Sequence, residues 1–203
     1  MNNNDLKYHF FYWGPYLFKT FFDLKQCKEL LNKGKKLKKE ANAKLAGVIK
    51  KELEFTKDDQ LWFAKKANNH FLAYLESANN WYGRKIAHKL NLENLWINFM
   101  KKGEFNPPHS HTGDLSFVIF LQVGDDLKKE NKEYIGTSGG PGSISFHYGF
   151  SVEDSKKELN ISTNRFFPQT GDMFIFPATL PHWVYPFQSN STRISVSGNL
   201  KFE

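Results

Sequence analysis

Residues 106–114, "NPPHSHTGD", carry two imidazoles and a carboxylate, His109, His111 and Asp114, within six positions. In an extended chain, side chains two apart point to one face. His109 and His111 would therefore project together at the start of the apolar run "LSFVIFLQV", as half of a divalent-metal site. An ion needs further donors, and the best remote one is His182 in "FPATLPHWVYPF". The chain has a single cysteine, Cys27, which excludes an intramolecular disulfide and a cysteine-based zinc cluster. Asp114 reaches the ion only if the chain turns at "HTGD", and it could instead cap that turn through its own backbone. The local donor beside His109 is thus His111 or Asp114, with the two-residue spacing favouring His111. His9, His70, His88 and His147 lie in helical or aromatic surroundings and read as surface or packed histidines.

Arginine is scarce, occurring only at positions 84, 165 and 193. Arg193 opens "RISVSGN", where Arg193, Ser195, Ser197 and Asn199 alternate with Ile194, Val196 and Gly198 before Leu200. Such a strand has one polar and one apolar face. A hairpin between "HWVYPF" and "RISVSGN" around "QSNST" would set His182 opposite Arg193 as cross-strand neighbours. The polar face would then look into a cavity, where a guanidinium can grip a carboxylate in bidentate fashion. An ion held by histidines, with an arginine and a serine beside it, suits a small anionic co-substrate that chelates the metal, the chemistry of facial-triad non-haem Fe(II) oxygenases.

The elements that must position these residues change character along the chain. At 203 residues one core suffices, and a single domain over 1–203 is expected, with 1–90 mainly helical support and 91–203 a β-barrel carrying the metal site. The segment from Phe10 to Phe22 reads as an edge strand or extended piece around Gly14-Pro15. Asp23 with Gln26, and Thr56 with Asp59, mark two helix starts. Cys27, Leu30, Leu31, Gly34 and Leu37 form the apolar stripe of the first helix; Ala64, Ala67, Phe71, Tyr74, Ala78, Trp81 and Tyr82 form that of the second. After Leu90 come short β-branched and aromatic runs, "NLWINFM", "LSFVIFLQV", "GSISFHYGF", "DMFIFPA", "HWVYPF" and "TRISVSGNL", separated by turn residues. Helices first and strands after predict an α+β unit, helices covering one face of an antiparallel sandwich or barrel. "KKENKEYIGTSGGPGS" reads as a mobile loop and a lid over the barrel mouth.

The net charge of +7 invites a nucleic-acid partner. The lysines, however, lie mainly in "KQCKELLNKGKKLKKE" and "IKKELEFTKDD" among glutamates, as on solvated helix faces, and no arginine-aromatic patch suited to base flipping is present. No run approaches bilayer length and the N-terminus lacks a leader pattern, so a cytoplasmic protein is expected.

"WINFMKKGEFNPPHSHTGDLSFVIFL", "GDMFIFPATLPHWVYPF" and "RISVSGN" together resemble the 2-oxoglutarate/Fe(II)-dependent oxygenase superfamily, and more narrowly oxygenases encoded by cyanophages and related marine phages. The likeness covers about Trp96 to Asn199. It implies a double-stranded β-helix (jelly-roll) barrel with the N-terminal helices packed on one sheet. It implies an Fe(II)- and 2-oxoglutarate-dependent dioxygenase that uses O2 to hydroxylate a C–H bond, releasing succinate and CO2. His109 takes the first-histidine position and His182 the distal one; Arg193 and Ser195 match the pair that holds the far carboxylate of 2-oxoglutarate. Asn98 and Asn199 are further candidates for co-substrate contacts. The sequence departs from the pattern at His111, which stands where a carboxylate is usual. A cupin-like metal-binding barrel without oxygenase activity is the other class that fits, and phage-encoded action in a host cytoplasm is implied. The primary substrate, whether protein, nucleic acid or small molecule, and the oligomeric state are not legible.

Overall fold

The computed structural model describes residues 14–149 and 163–203. Among these residues three α-helices and ten strands alternate as β1 (Phe18–Phe21), α1 (Leu24–Gly34), β2 (Glu52–Glu54), α2 (Lys57–Tyr82), β3 (Leu90–Met100), β4 (Asn106–His109), β5 (Leu115–Gln122), α3 (Asp125–Lys132), β6 (Ile144–His147), β7 (Thr163–Phe166), β8 (Asp172–Pro177), β9 (His182–Val184) and β10 (Arg193–Phe202).

Both predicted helix starts are present. The Asp23 carboxylate accepts the Gln26 amide at 3.0 Å, and the Thr56 hydroxyl accepts the Asp59 amide at 3.2 Å, each satisfying a donor that has no partner within the helix. Asp58 and Asp59 add negative charge at the positive end of α2. This helix stops at Gly83, whose φ of 63° is the left-handed conformation that closes helices. Helix α1 buries Cys27, Leu30 and Gly34, and α2 buries Phe63, Ala67, Phe71, Tyr74 and Ala78. At Gly34 a Cβ would lie 2.4 Å from Ile97 Cδ1, so the missing side chain is what lets α1 approach β3 this closely.

Helices α1 and α2 lie on a six-stranded antiparallel sheet of order β1-β8-β5-β10-β3-β2, and a four-stranded antiparallel sheet of order β4-β9-β6-β7 faces its other side. Strand β5 is buried on both faces, which accounts for its unbroken apolar sequence. Phe117 and Ile119 point to the helices, where Phe63 stacks on Phe117 at 5.3 Å, whereas Val118 and Phe120 join Phe146, Phe174 and Phe176 between the sheets.

Four expectations need correction. The "HWVYPF"–"RISVSGN" hairpin does not form: both edges of β10 are taken by β3 and β5, and both edges of β9 by β4 and β6. The chain between them crosses from one sheet to the other, burying Phe187 in the inter-sheet core, so His182 and Arg193 belong to different sheets. His109 ends β4, a strand of the small sheet, and does not start β5. The lysine-rich "IKKELEF" holds a strand, β2, and is not a helix face, and with β1 it shows that the first ninety residues also supply strands to the large sheet. The loop "KKENKEY" begins inside α3. The edge strand expected around Gly14-Pro15 appears as β1; its portion before Gly14, and His9, lie outside the described residues. No helix among the described residues is long and apolar enough to cross a membrane.

Candidate metal centre

His109 and His182 are register partners on β4 and β9, so the pleat aims both rings to one side. His111 follows in the loop, tethered by its amide donating to the Ala178 carbonyl at 2.8 Å, and Gly113 at φ 100° lets the chain turn into β5. The result is a group of three imidazoles whose ligand nitrogens lie within 4.8 Å of one another. His111 Nε2 and His182 Nε2 are 3.2 Å apart. Two nitrogens each about 2.1 Å from one ion, at angles between octahedral and tetrahedral, stand roughly 3.0–3.4 Å apart, so the spacing fits a shared cation.

The ring tautomers are prepared for that role. His109 Nδ1 donates to the Pro107 carbonyl at 2.7 Å and His182 Nδ1 to the Leu180 carbonyl at 2.9 Å, leaving each Nε2 lone pair toward the cluster. Burial, assisted by the neighbouring His109, lowers the pKa of His111 to about 4 and that of His182 to about 3; burial also lowers that of His109. All three rings are therefore neutral near pH 7, the form that binds metal. Asp114 is not part of this group. Its carboxylate accepts the Phe202 amide at 2.8 Å, closing the end of β10, so it serves the backbone at the turn.

Across the cavity, β3 and β10 of the large sheet present Asn98, Arg193 and Ser195, all lining the same cleft as the three histidines. The cleft takes in about 510 Å³ of space, its open mouth included. Arg193 is 2% exposed. Its Nη1 donates to the Gly142 carbonyl at 2.7 Å and its guanidinium lies 5.1 Å from the Phe120 ring centre, but its Nε has no partner. Burial pulls its pKa down to about 9. Asn98 Nδ2 reaches Ser195 Oγ at 3.4 Å while Asn98 Oδ1 is also unpartnered. Buried polar atoms left open at a cleft are the mark of a place kept for a ligand. Asn199 differs: it lies outside that cleft, its Oδ1 accepts Ser116 Oγ at 2.7 Å, and its amide donates to Asn94 Oδ1, so it ties β10 to its neighbours.

Two residues escaped the sequence reading, one that lines the cavity and one that holds Arg193. Glu52 is buried on β2 facing the cleft, and the alternation Glu52, Leu53, Glu54, Phe55 was the period-two signal that could have found it. Gly142 contributes only a carbonyl, for which no sequence signal exists. The remaining histidines are as expected: His70 packs near Phe22 and Thr20, His88 is exposed, and His147 pairs with Thr163.

Residues 94–199, a little over half of the chain, match the model of the family described as "Putative 2OG-Fe(II) oxygenase". The chain belongs to this 2OG-Fe(II) oxygenase family. Its members use Fe(II) and 2-oxoglutarate, and the three-histidine group is consistent with iron. No curated protein sequence matches the chain. Among solved structures it is similar to the viral collagen prolyl hydroxylase of Paramecium Bursaria Chlorella virus-1 in complex with 2-oxoglutarate, at 16% identity over 92% of this chain and 96% of that one, TM-score 0.56. It is also similar to a 2OG-Fe(II) oxygenase family oxidoreductase from Burkholderia pseudomallei, at 16% identity over 93% and 84%, TM-score 0.58. A third is a prolyl-4-hydroxylase from Pseudomonas putida, at 12% identity over 92% of each chain, TM-score 0.54. At these identities the likeness establishes the fold: the two facing antiparallel sheets are the double-stranded β-helix of 2OG oxygenases, with α1 and α2 on the large sheet.

Proposed function

We propose that this oxygenase hydroxylates a C–H bond of its substrate, with His109, His111 and His182 holding Fe(II) and Arg193 with Ser195 holding 2-oxoglutarate. The observation that carries it is the pairing, across one cleft, of a neutral three-imidazole cluster with a buried guanidinium whose Nε is unfilled. His109 and His182 turn Nε2 toward the cluster, where His111 Nε2 lies 3.2 Å from that of His182. Arg193, kept in place by Gly142, would receive the distal carboxylate of the co-substrate, and Ser195 Oγ would donate to the same carboxylate. Asn98 would orient Ser195 and add a contact through its open Oδ1. The bound metal supplies Lewis acidity and the means to activate dioxygen. Overall, one oxygen atom of O2 ends in succinate and the other in the hydroxyl group, with loss of CO2. Phe120, Phe176 and Val184 wall the cleft and keep bulk water from it. A phage origin, and with it action in a host cytoplasm, belongs to the same proposal and rests on the resemblance of Trp96 to Asn199 to phage-encoded oxygenases.

A cupin-like metal-binding barrel without oxygenase activity is the second reading, favoured by the imidazole of His111 where the family pattern has a carboxylate. Anaerobic titration of Fe(II)-loaded protein with 2-oxoglutarate, followed by admission of air and succinate assay, separates the two. An oxygenase binds the co-substrate and slowly makes succinate even without substrate, and His182→Ala abolishes both through loss of metal. Tight metal binding with neither 2-oxoglutarate binding nor succinate favours the simple barrel.

A further inference from the structure

Glu52 has no task in the reading above, although it faces the same cleft. Its side chain is 1% exposed, and its neighbour Leu53 points the other way, into the core beneath the helices. Among the described residues its only side-chain hydrogen bond is a long one, from Asn42 Nδ2 at 3.4 Å. No lysine or arginine among the described residues forms an ion pair with it. The charge that acts on it is of the same sign. Glu104, whose carboxylate accepts the Lys50 and Lys101 amides, adds repulsion to the larger effect of burial, and together they raise the pKa of Glu52 to about 7.

Glu54 makes the contrast clear. It lies two residues on, on the same face of β2, and is paired with Lys39 at 2.8 Å. Glu54 lines a more open groove of about 900 Å³, its mouth included, which shares Leu45, Trp96 and His111 with the inner cleft. Groove and cleft thus adjoin at Leu45, Trp96 and His111, the groove holding a carboxylate already paired and the cleft one that is not, beside the three histidines. A buried carboxyl in a cleft, raised by desolvation and lacking a cation, is the arrangement expected of a group that meets its counter-charge in a ligand. Arg193 does not supply that charge: it makes no ion pair with Glu52, and in the reading above it is committed to the co-substrate.

We propose that Glu52 is the recognition group for the primary substrate, and that this substrate carries a cationic nitrogen, an ammonium or guanidinium, on a slim chain that enters the cleft. This rests on the oxygenase reading. The cation would form charge-assisted hydrogen bonds with Glu52, and its arrival would favour the ionised carboxylate. A phosphate backbone has nothing to gain there, because the lysines that could hold it lie outside the cleft.

The test uses protein loaded with Ni(II) and 2-oxoglutarate, titrated calorimetrically with two probes of the same backbone: N-acetyl-lysine methylamide, which is cationic, and its Nε-acetylated form, which is neutral. Wild type is expected to bind the cation about ten-fold more tightly or better, as charge-assisted hydrogen bonds predict. Glu52→Gln should erase that preference while leaving Ni(II) and 2-oxoglutarate affinities within about three-fold, and Glu52→Asp should restore part of it. Glu54→Gln should leave the preference intact. Equal binding of both probes to wild type, a preference that survives Glu52→Gln, or loss of metal or co-substrate affinity in that variant would each overturn the proposal. Wild type that takes up neither Ni(II) nor 2-oxoglutarate sinks the oxygenase reading and this proposal with it; wild type that takes up both and ignores the cation sinks this proposal alone.

Discussion

The two faces of β10 are built from the same ten residues to opposite standards. On the helix side, Ile194, Val196 and Leu200 join Phe63, Phe71 and Phe117 in a core of apolar side chains. On the cleft side, Arg193 Nε and, on the adjacent strand β3, Asn98 Oδ1 are buried without partners among the described residues. The first face gains stability from every contact. The second forgoes it, because buried polar atoms without hydrogen bonds cost free energy until something fills the gap. One strand therefore separates the part of the molecule that holds the fold from the part that waits for a ligand, and substitutions on its two sides should fail in different ways.

The largest effect belongs to the helix side. Phe117 is fully buried, stacked on Phe63, and in contact with Phe71. Phe117→Ala should cost about 3–5 kcal/mol of folding stability, as other Phe truncations in cores do, visible as a lower midpoint in urea unfolding of the apo protein. Metal affinity of the fraction that remains folded should be little changed. A loss under about 1 kcal/mol would mean that the helices are loosely seated on the sheet.

Arg193→Leu tests the other face. Two effects on stability oppose one another: the bond to the Gly142 carbonyl is lost, and a buried charge without a counter-ion is removed. Stability should move by less than about 1 kcal/mol, while affinity for 2-oxoglutarate falls by about 2–4 kcal/mol, the range for truncating one partner of a buried charged pair. Ni(II) affinity measured without co-substrate should not change. A variant that unfolds instead would place Arg193 with the structural residues and blur the contrast between the two faces.

This division also governs what could be read from the amino acids. The alternation of "RISVSGN" showed a two-faced strand, and β10 is one; the caps at Asp23 and Thr56 are local and are where they were expected. Pairing is not local. Period two placed Arg193 and Ser195 on one face, but nothing in the alternation says which strand lies alongside, so a hairpin was inferred where the chain changes sheets. His111 was favoured over Asp114 from strand geometry, and the structure does bring His111 to His109 and His182, although for another reason: β4 ends at His109, and the loop held by the Ala178 carbonyl carries His111 inward. Glu52 was hidden by its surroundings, because lysines before it made a strand look like the polar face of a helix.

The smallest predicted effect is also the one that isolates a single group in the cleft. Glu52 has its pKa raised from 4.5 to about 7, so the folded state holds its proton more tightly than the unfolded chain does. Its contribution to stability is then fully present below about pH 4.5 and is lost as pH rises through 7. The histidines have the opposite sign. His111 and His182 have depressed pKa values, so the unfolded chain binds more protons, and their contribution is present above about 6.5 and fades as pH falls toward 4. The opposing slopes balance near pH 7, where the metal-free protein should be most stable. From pH 6 to 8 the Glu52 contribution should fall by about 1 kcal/mol, and Glu52→Gln should remove that decline and steepen the loss below pH 6, where protonated Glu52 offsets part of the histidine effect. Urea midpoints of both proteins at pH 5, 6, 7 and 8 give the comparison. Parallel curves on the alkaline side would mean that Glu52 titrates as an ordinary carboxylate, with water or a cation already beside it, and that the cleft is not the dry, incompletely paired face described for β10.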